Sequence, residues 1–403
     1  MKEKKFGFRT LCVVAGAFVS YTVGSGFASG NEVLQFFGSW GMPGCIFAIA
    51  GSVLITLVTC ICLYYIGSHK EFEKTSDAYF YIGGKGLGAF FQLFTFVSLF
   101  GTFMIMFSGA GSVFSQQWGL PQWVGSVIMG VLSGIVVLGG LETVEKVLGY
   151  VGIILLLYVL VFGVISLFHP GTDISQVKDI PSAVETGTVM QANLFALPPL
   201  SYIPGLDSLN TPFLEGVLYA ALCLVNGVPF YMALGKNTKT SGQAVGAAVF
   251  TTAAYYGCVA LVLVIVISNF SRIVSGGTMA PFPVLSAVDF IWPSGSWTYV
   301  IIIFLGIFTT TTGFLWVLSE WLFPGQVRTK KTNSFIVAMI VVGITLGSVL
   351  PFSVLINFIF PISGVVGVII TVCLIIKALA VKKEADLAQL STTREDIPDR
   401  LQA

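Results

Sequence analysis

The sequence has few charged residues and almost no histidine, and both shortages limit what the protein can do. Asp, Glu, Lys and Arg make up 10% of its 403 residues, against roughly 25% in soluble domains. The formal net charge is +1 and the basic residues are scattered, so nucleic acid is not a predicted partner. His69 and His169 lie at opposite ends of predicted membrane segments and cannot form one catalytic or metal site. The sequence therefore predicts that the protein is not an enzyme.

Cysteine is also too dispersed for metal binding or disulfide formation. The seven cysteines lie within apolar segments and form no C-x-x-C pair, so they are predicted to be small packing residues. No organic cofactor is expected. The expected partners are a small solute and the lipid bilayer, and the sequence does not indicate an oligomeric state.

Long apolar runs are abundant, since hydrophobic residues make up 55% of the chain. Runs of about 18 residues or more each suffice for a membrane helix. They predict an all-α membrane protein of about ten spans, at 8–38, 43–67, 87–115, 121–140, 146–168, 213–235, 243–269, 297–322, 334–350 and 353–379. The protein is predicted to lie in the cell membrane with both termini in the cytoplasm. In that orientation only two basic residues, Lys178 and Arg272, lie outside. This agrees with the positive-inside rule, by which Lys and Arg concentrate in cytoplasmic loops.

The predicted spans divide into two groups of five. Residues 1–380 form one transmembrane domain, followed by a charged cytoplasmic tail over 381–403. Within the domain, repeat one covers 8–168, an external connection covers 169–212, and repeat two covers 213–380. Because five is odd, the two repeats would have opposite orientations in the membrane.

The first span carries glycines and serines at its middle, between Val23 and Gly30. Glycine weakens a helix, and backbone groups freed in lipid must find partners or line a polar cavity. An interrupted helix at this depth is typical of the binding site of secondary transporters. The alternative is that Gly26 and Gly30 are packing glycines in a small-x-x-x-small pattern.

The sixth span is interrupted at the matching place, where Asn226 and Gly227 precede Pro229. Proline cannot donate a backbone hydrogen bond to Val225 and clashes with its carbonyl. An ordinary proline kink is the alternative. Paired breaks in two inverted halves favour a substrate site formed by both helices.

One acid and several aromatic residues are further candidates for this site. Glu32 follows the first break, and intramembrane acids are functional hypotheses by default. It is predicted to bind a cationic group of the solute, to carry a proton or to close an external gate; a structural cap on the broken helix is the alternative. Phe103 and Phe230 are the predicted aromatic residues of the pocket, from a candidate set that also includes Met106, Phe107 and Tyr231.

Ten spans with helices 1 and 6 broken resemble the LeuT fold of the amino acid–polyamine–cation superfamily. Residues 22–28, TVGSGFA, are similar to the first helix of neurotransmitter:sodium symporters. Residues 24–32, GSGFASGNE, resemble the uncharacterised YkvI-like membrane proteins, which are treated as amino acid permeases. Phe27 and Gly30 replace the symporters' asparagine and arginine, so substrate details are not carried over.

The resemblance implies a solute site and a sodium site. The solute site would comprise Gly24, Ser25, Gly26, Phe27, Ala28, Glu32, Phe103, Val225, Asn226, Gly227 and Phe230. The amides of Ser25 to Phe27 would hold a carboxylate and the carbonyls of Val225 to Gly227 an ammonium. Sodium would bind the carbonyls of Ser20 and Val23 and the hydroxyls of Thr311 and Thr312. The alternative for the threonines is a hydrogen bond to their own helix.

The sequence thus predicts a sodium-coupled transporter of an amino acid or related zwitterion or amine, working by alternating access. A proton-coupled or exchange-type permease of the same fold remains the alternative. An ion channel would show a repeated filter or a ring of charges, which the sequence lacks.

Overall fold

The computed structural model describes residues 7–70, 72, 75–139, 157–323 and 329–395, and within these ranges the regular structure is entirely helical. The first part of the chain forms α1 (Phe8–Thr22), α2 (Ser25–Ser29), α3 (Asn31–Phe36), α4 (Gly41–His69), α5 (Thr75–Trp118), α6 (Gln122–Gly139), α7 (Leu157–Phe168) and α8 (Ile180–Glu185). The second part forms α9 (Pro212–Val225), α10 (Val228–Gly235), α11 (Ser241–Ser268), α12 (Phe270–Ile273), α13 (Pro283–Ile291), α14 (Ser296–Leu322), α15 (Lys330–Val349) and α16 (Phe352–Glu395).

These helices are those of an all-α membrane protein. Six stretches are long and apolar enough to cross a bilayer, and the bent pair α9 and α10 gives a seventh. Apolar helices of 10–17 residues lie in α1, α6 and α7. The first eleven residues of the predicted fifth span, 146–156, lie outside the described residues. The count of ten spans and the inverted repeat stay predictions.

Two segments differ from the expected pattern. The polar stretch before the third span is helical from Thr75, and the helix turns sharply at Gly84, whose φ of 66° is accessible to glycine. The charged tail is not separated from the last span by a loop, because α16 continues without interruption to Glu395. Between α12 and α14, the apolar segment 278–292 forms the short helix α13.

Small residues place α9 at the centre of the bundle. The backbone of α9 approaches α4 where Gly216 meets the carbonyl of Ala48, and it approaches α16 at Gly364 and Gly367. A Cβ atom at any of these glycines would collide with the neighbouring helix. Such close approach is how small residues pack membrane helices. It brings the break that follows α9 into the middle of the molecule.

Candidate functional site

The first helix is interrupted twice. After α1, Val23 and Gly24 have extended backbone angles (φ −76° and −100°), and the chain resumes as the five-residue α2. Gly30 then adopts a left-handed conformation with φ of 80°, which divides α2 from α3. The glycine-rich pattern therefore predicted the interruption within 23–30 correctly.

The second break separates α9 from α10 at Asn226 and Gly227, and the two helices bend by 78°. Pro229 is the second residue of α10, so it begins a new helix and removes the amide that would otherwise bond to Val225. The predicted interruption of this span is confirmed.

The two breaks touch each other. The hydroxyl of Tyr21 donates to the backbone carbonyl of Asn226 at 2.8 Å. Thr22 Oγ1 lies 2.9 Å from Tyr231 Oη, and the rings of Tyr21 and Phe230 stack with centroids 4.6 Å apart. The end of α1 and the start of α10 thus form one junction, as expected for helices whose breaks share a site.

Free backbone amides face the first break. Gly24 caps α2 and has no side chain, so within the described part of the chain the amides of Ser25, Gly26 and Phe27 receive no N-cap hydrogen bond, and the first turn of a helix gives them no intrahelical acceptor. A Cβ atom at Gly24 would meet nothing within 4 Å, so there is open space beside it. The carbonyl of Ala28, in contrast, already accepts the hydroxyl of Tyr299.

Tyrosine hydroxyls occupy the carbonyls of the second break. Tyr79 donates to the carbonyl of Val225 at 2.9 Å, the carbonyl that Pro229 leaves without an amide. The hydroxyl of Tyr21 donates to the backbone carbonyl of Asn226. The side-chain oxygen of Asn226 is buried without a hydrogen-bond partner among the described residues. The acceptor without a partner at this break is therefore the side-chain oxygen of Asn226, whereas the backbone carbonyls of 225 and 226 each already accept a tyrosine hydroxyl.

Glu32 lies between the first break and α9. It is 7% exposed, and its Oε1 accepts a hydrogen bond of 3.1 Å from Tyr219. Tyr219 Oη also lies 2.8 Å from Tyr255 Oη on α11. The second carboxyl oxygen rests against Gly26, where a Cβ atom would be only 2.3 Å away. The carboxyl therefore points back to the break, beside the free amides of α2.

Of the tyrosines around the breaks, Tyr231 was a sequence candidate for the pocket and four others were not. Tyr21, Tyr79, Tyr219 and Tyr255 all donate or share hydrogen bonds at the site. One of them could have been predicted from its spacing along α9. Tyr219 lies seven residues before Asn226, and therefore on the same face of the helix. The others come from distant parts of the sequence, where periodicity carries no information about the break.

The two predicted aromatic residues lie in different places. Phe230 belongs to the junction, through its stack with Tyr21. Phe103 is fully buried in a second apolar cluster, with Phe107, Leu315 and Ile336. The structure does not bring Phe103 together with the breaks.

The predicted sodium ligands lie on two helices. Thr311 and Thr312 are fully buried on α14, and their hydroxyls donate to the carbonyls of Ile307 at 2.7 Å and Phe308 at 2.6 Å. A hydroxyl that donates in this way keeps lone pairs for a cation. Val23 follows the last turn of α1, and the side chains of Ser20 and Ser25 lie outside the described residues. Sodium binding here stays a prediction.

We call the side that carries α3, α13 and residues 169–212 the outer side. On this outer side, polar contacts between α3 and its neighbours cover the two breaks. Asn31 Nδ2 donates to Ser353 Oγ at 2.7 Å and to the carbonyl of Pro281 at 3.0 Å, and Gln35 donates to Asn31 Oδ1 at 2.6 Å. At the junction itself, Tyr21 and Phe230 remain 40% and 36% exposed. The breaks are therefore covered on the outer side, while these two rings of the junction stay partly exposed.

Comparisons with known proteins agree with this architecture. No protein-family model matches the chain. It is 28% identical over 145 residues, 36% of its length, to the uncharacterised membrane protein YkvI of Bacillus subtilis (strain 168), and the match spans 42% of that protein.

Two solved structures share the whole fold. The structure of MhsT in complex with L-phenylalanine matches 91% of this chain and 89% of its own, with a TM-score of 0.52 and 15% identity. A variant of the Eremococcus coleocola manganese transporter matches 94% of this chain and 80% of its own, with a TM-score of 0.54 and 13% identity. With its paired helix breaks, the chain has a LeuT-like fold.

Proposed function

We propose that this protein is a secondary active transporter that moves an amino acid or a related small amine across the membrane by alternating access. The observation that carries the proposal is the junction of two broken helices, with free amides on one side and a buried acid beside them. A solute with one anionic and one cationic group complements that arrangement.

The carboxylate of the solute would lie at the start of α2. Three amides without intrahelical acceptors point there, and open space lies beside Gly24. One of the similar structures was solved with L-phenylalanine, whose carboxylate and ammonium groups have the same chemistry.

The ammonium group would lie against Glu32 and the side-chain oxygen of Asn226. Glu32 has a single hydrogen-bond donor, Tyr219, and Asn226 Oδ1 has none among the residues that the structure describes. Removing a charge from water is costly unless it is paired, so a bound cation would stabilise the Glu32 carboxylate. This assignment moves the predicted ammonium position from the backbone carbonyls of α9, which tyrosines occupy, to two side chains.

Sodium is our proposed coupling ion, at the carbonyls of Ser20 and Val23 and the hydroxyls of Thr311 and Thr312. Hard cations bind several oxygen ligands at once, and these four oxygens come from two helices that a transport cycle would move relative to each other. A proton-coupled or exchange mechanism would use the same solute site without this ion.

Thermal-shift measurements on the purified protein can identify the solute. The screen would cover amino acids and small amines, each with sodium and with potassium in its place. We expect stabilisation by at least one compound, because a ligand that binds only the folded state raises its stability. The active compound then serves in liposome uptake, where accumulation that follows an imposed sodium gradient supports coupling. Uptake that follows only a pH gradient would replace sodium by a proton.

A further inference from the structure

A second acid, Glu215, lies buried in the outer half of the molecule, outside the solute site. It belongs to the first turn of α9 and is 0% exposed. Neither carboxyl oxygen has a hydrogen-bond partner among the described residues. The backbone amide of Leu194 is the group that approaches the carboxyl, without reaching hydrogen-bond geometry.

The segments around Glu215 provide no counter-cation. The carboxyl lies beside Leu194 of the connection, and α9 packs against α3, α4 and α16. Residues 31–63, 189–235 and 352–376 contain no Lys, Arg or His. In the outer half, the titratable groups of these three ranges are all neutral or acidic: Glu32 of α3, Cys45 of α4, Tyr202 and Asp207 of the connection, and Tyr219 of α9. The earlier part of the connection adds His169, Asp173, Asp179 and Glu185, and its one cation of fixed charge, Lys178, is exposed.

An ionised carboxylate is poorly accommodated in this environment. A charge removed from water must be paired or hydrogen-bonded, and here neither partner is present among the described groups. The N-terminal dipole of α9 favours an anion, but it offsets only a small part of the burial cost. A metal cation would require several oxygens around it, whereas a proton needs only one carboxyl oxygen.

The cover over Glu215 belongs to the closed outer side. The connection reaches α3 through the amide of Ala192, which donates to the carbonyl of Gln35 at 3.1 Å. One turn inward from Glu215, Tyr219 packs against Phe36 and Phe37 of α3, with ring centroids 5.2 and 4.7 Å apart. Because the connection also carries Leu194 beside the carboxyl, joint movement of the connection and α3 away from α9 would uncover Glu215.

We propose that Glu215 is a proton-binding site that is filled when the outer side closes. With the outer side open, water hydrates the carboxylate. Closure removes that water, and the carboxylate takes one proton from the outer solution to form an O–H bond. The proton returns to water when the carboxyl is next hydrated. The role of this protonation in a transport cycle rests on the proposed function. The protonation of Glu215 on closure does not depend on it.

Infrared spectroscopy of the purified protein tests the protonation directly, since a protonated carboxyl absorbs apart from a carboxylate. At neutral pH we expect a protonated-carboxyl band in the wild type that Glu215→Gln diminishes by one group. Glu185→Gln is the matched control, because Glu185 is an exposed acid of the connection, and it should leave the band unchanged. A wild-type spectrum without the band overturns the proposal, as does a band unchanged by Glu215→Gln.

If the Glu215→Gln variant does not fold, the infrared measurement is made on Glu32→Gln instead. The band must then persist in Glu32→Gln, because Glu215 is the other fully enclosed acid among the described residues. Loss of the entire band in that variant overturns the proposal.

Hydrogen exchange tests the link to closure. After correction for the intrinsic effect of pH, residues 31–40 of the wild type should exchange faster at alkaline pH, because deprotonation of Glu215 favours the open outer side. Glu215→Gln should stay protected, and Glu185→Gln should follow the wild type. Equal alkaline exchange in Glu215→Gln and wild type overturns the link. Neither experiment needs a transported solute. Uptake measurements in liposomes test the proposed function separately, so the two proposals can fail independently.

Discussion

Replacement of Glu32 by Gln separates a solute-binding role from a structural one. The side chain keeps its length, and its amide oxygen can still accept the hydrogen bond from Tyr219. The change removes the negative charge next to Gly26 and leaves the packing around it intact.

The size of the expected effect follows from the contact that is lost. A hydrogen bond to a charged group contributes about 1.5–3 kcal/mol. If the solute ammonium binds Glu32, its replacement should weaken solute binding roughly tenfold to hundredfold. A carboxyl that only supports the broken helix predicts almost no change, since glutamine fulfils that role.

Equilibrium binding of the labelled solute to the purified protein measures this difference. Glu185→Gln provides the control for the loss of an exposed acid. A dissociation constant of Glu32→Gln within about twofold of wild type, a difference of about 0.4 kcal/mol, would refute the role of Glu32 in solute binding.

Further predictions concern the two breaks and the ion. Gly26→Ala should abolish or strongly weaken solute binding, because the new Cβ would collide with Glu32 Oε2, whereas Gly16→Ala on α1 meets open space and should bind as the wild type does; equal binding by both variants would contradict the geometry. Replacing both Thr311 and Thr312 by valine removes two oxygens at nearly constant volume, so uptake should lose its sodium dependence or cease, and unchanged sodium-driven uptake would exclude this ion site.

Much of the membrane fold could be predicted because its signals are local. Apolar runs give the spans, and glycine and proline mark the breaks at Gly24, Gly30 and Gly227 where helix geometry fails. The helix that begins at Thr75 could not be predicted, since its polar sequence resembles a loop and its helical state depends on packing. The same holds for the helical continuation of α16 past residue 380.

The site was predicted only in part, for a related reason. Backbone groups at a break follow from the sequence, and Glu32 stands out because acids are rare in membrane segments. Which hydroxyls satisfy those groups depends on contacts between distant segments, such as that of Tyr79 with Val225. Phe103 illustrates the same limit, because an apolar residue on a long helix can face either of two clusters.

Uptake of radiolabelled amino acids and amines by proteoliposomes tests the central claim most directly. We expect saturable accumulation of at least one such solute, driven by an imposed cation gradient and lost in Gly26→Ala but retained in Gly16→Ala, which meets open space on α1 outside the site. Absence of accumulation for every amino acid and amine by folded, correctly inserted protein, under both sodium and proton gradients, would contradict it.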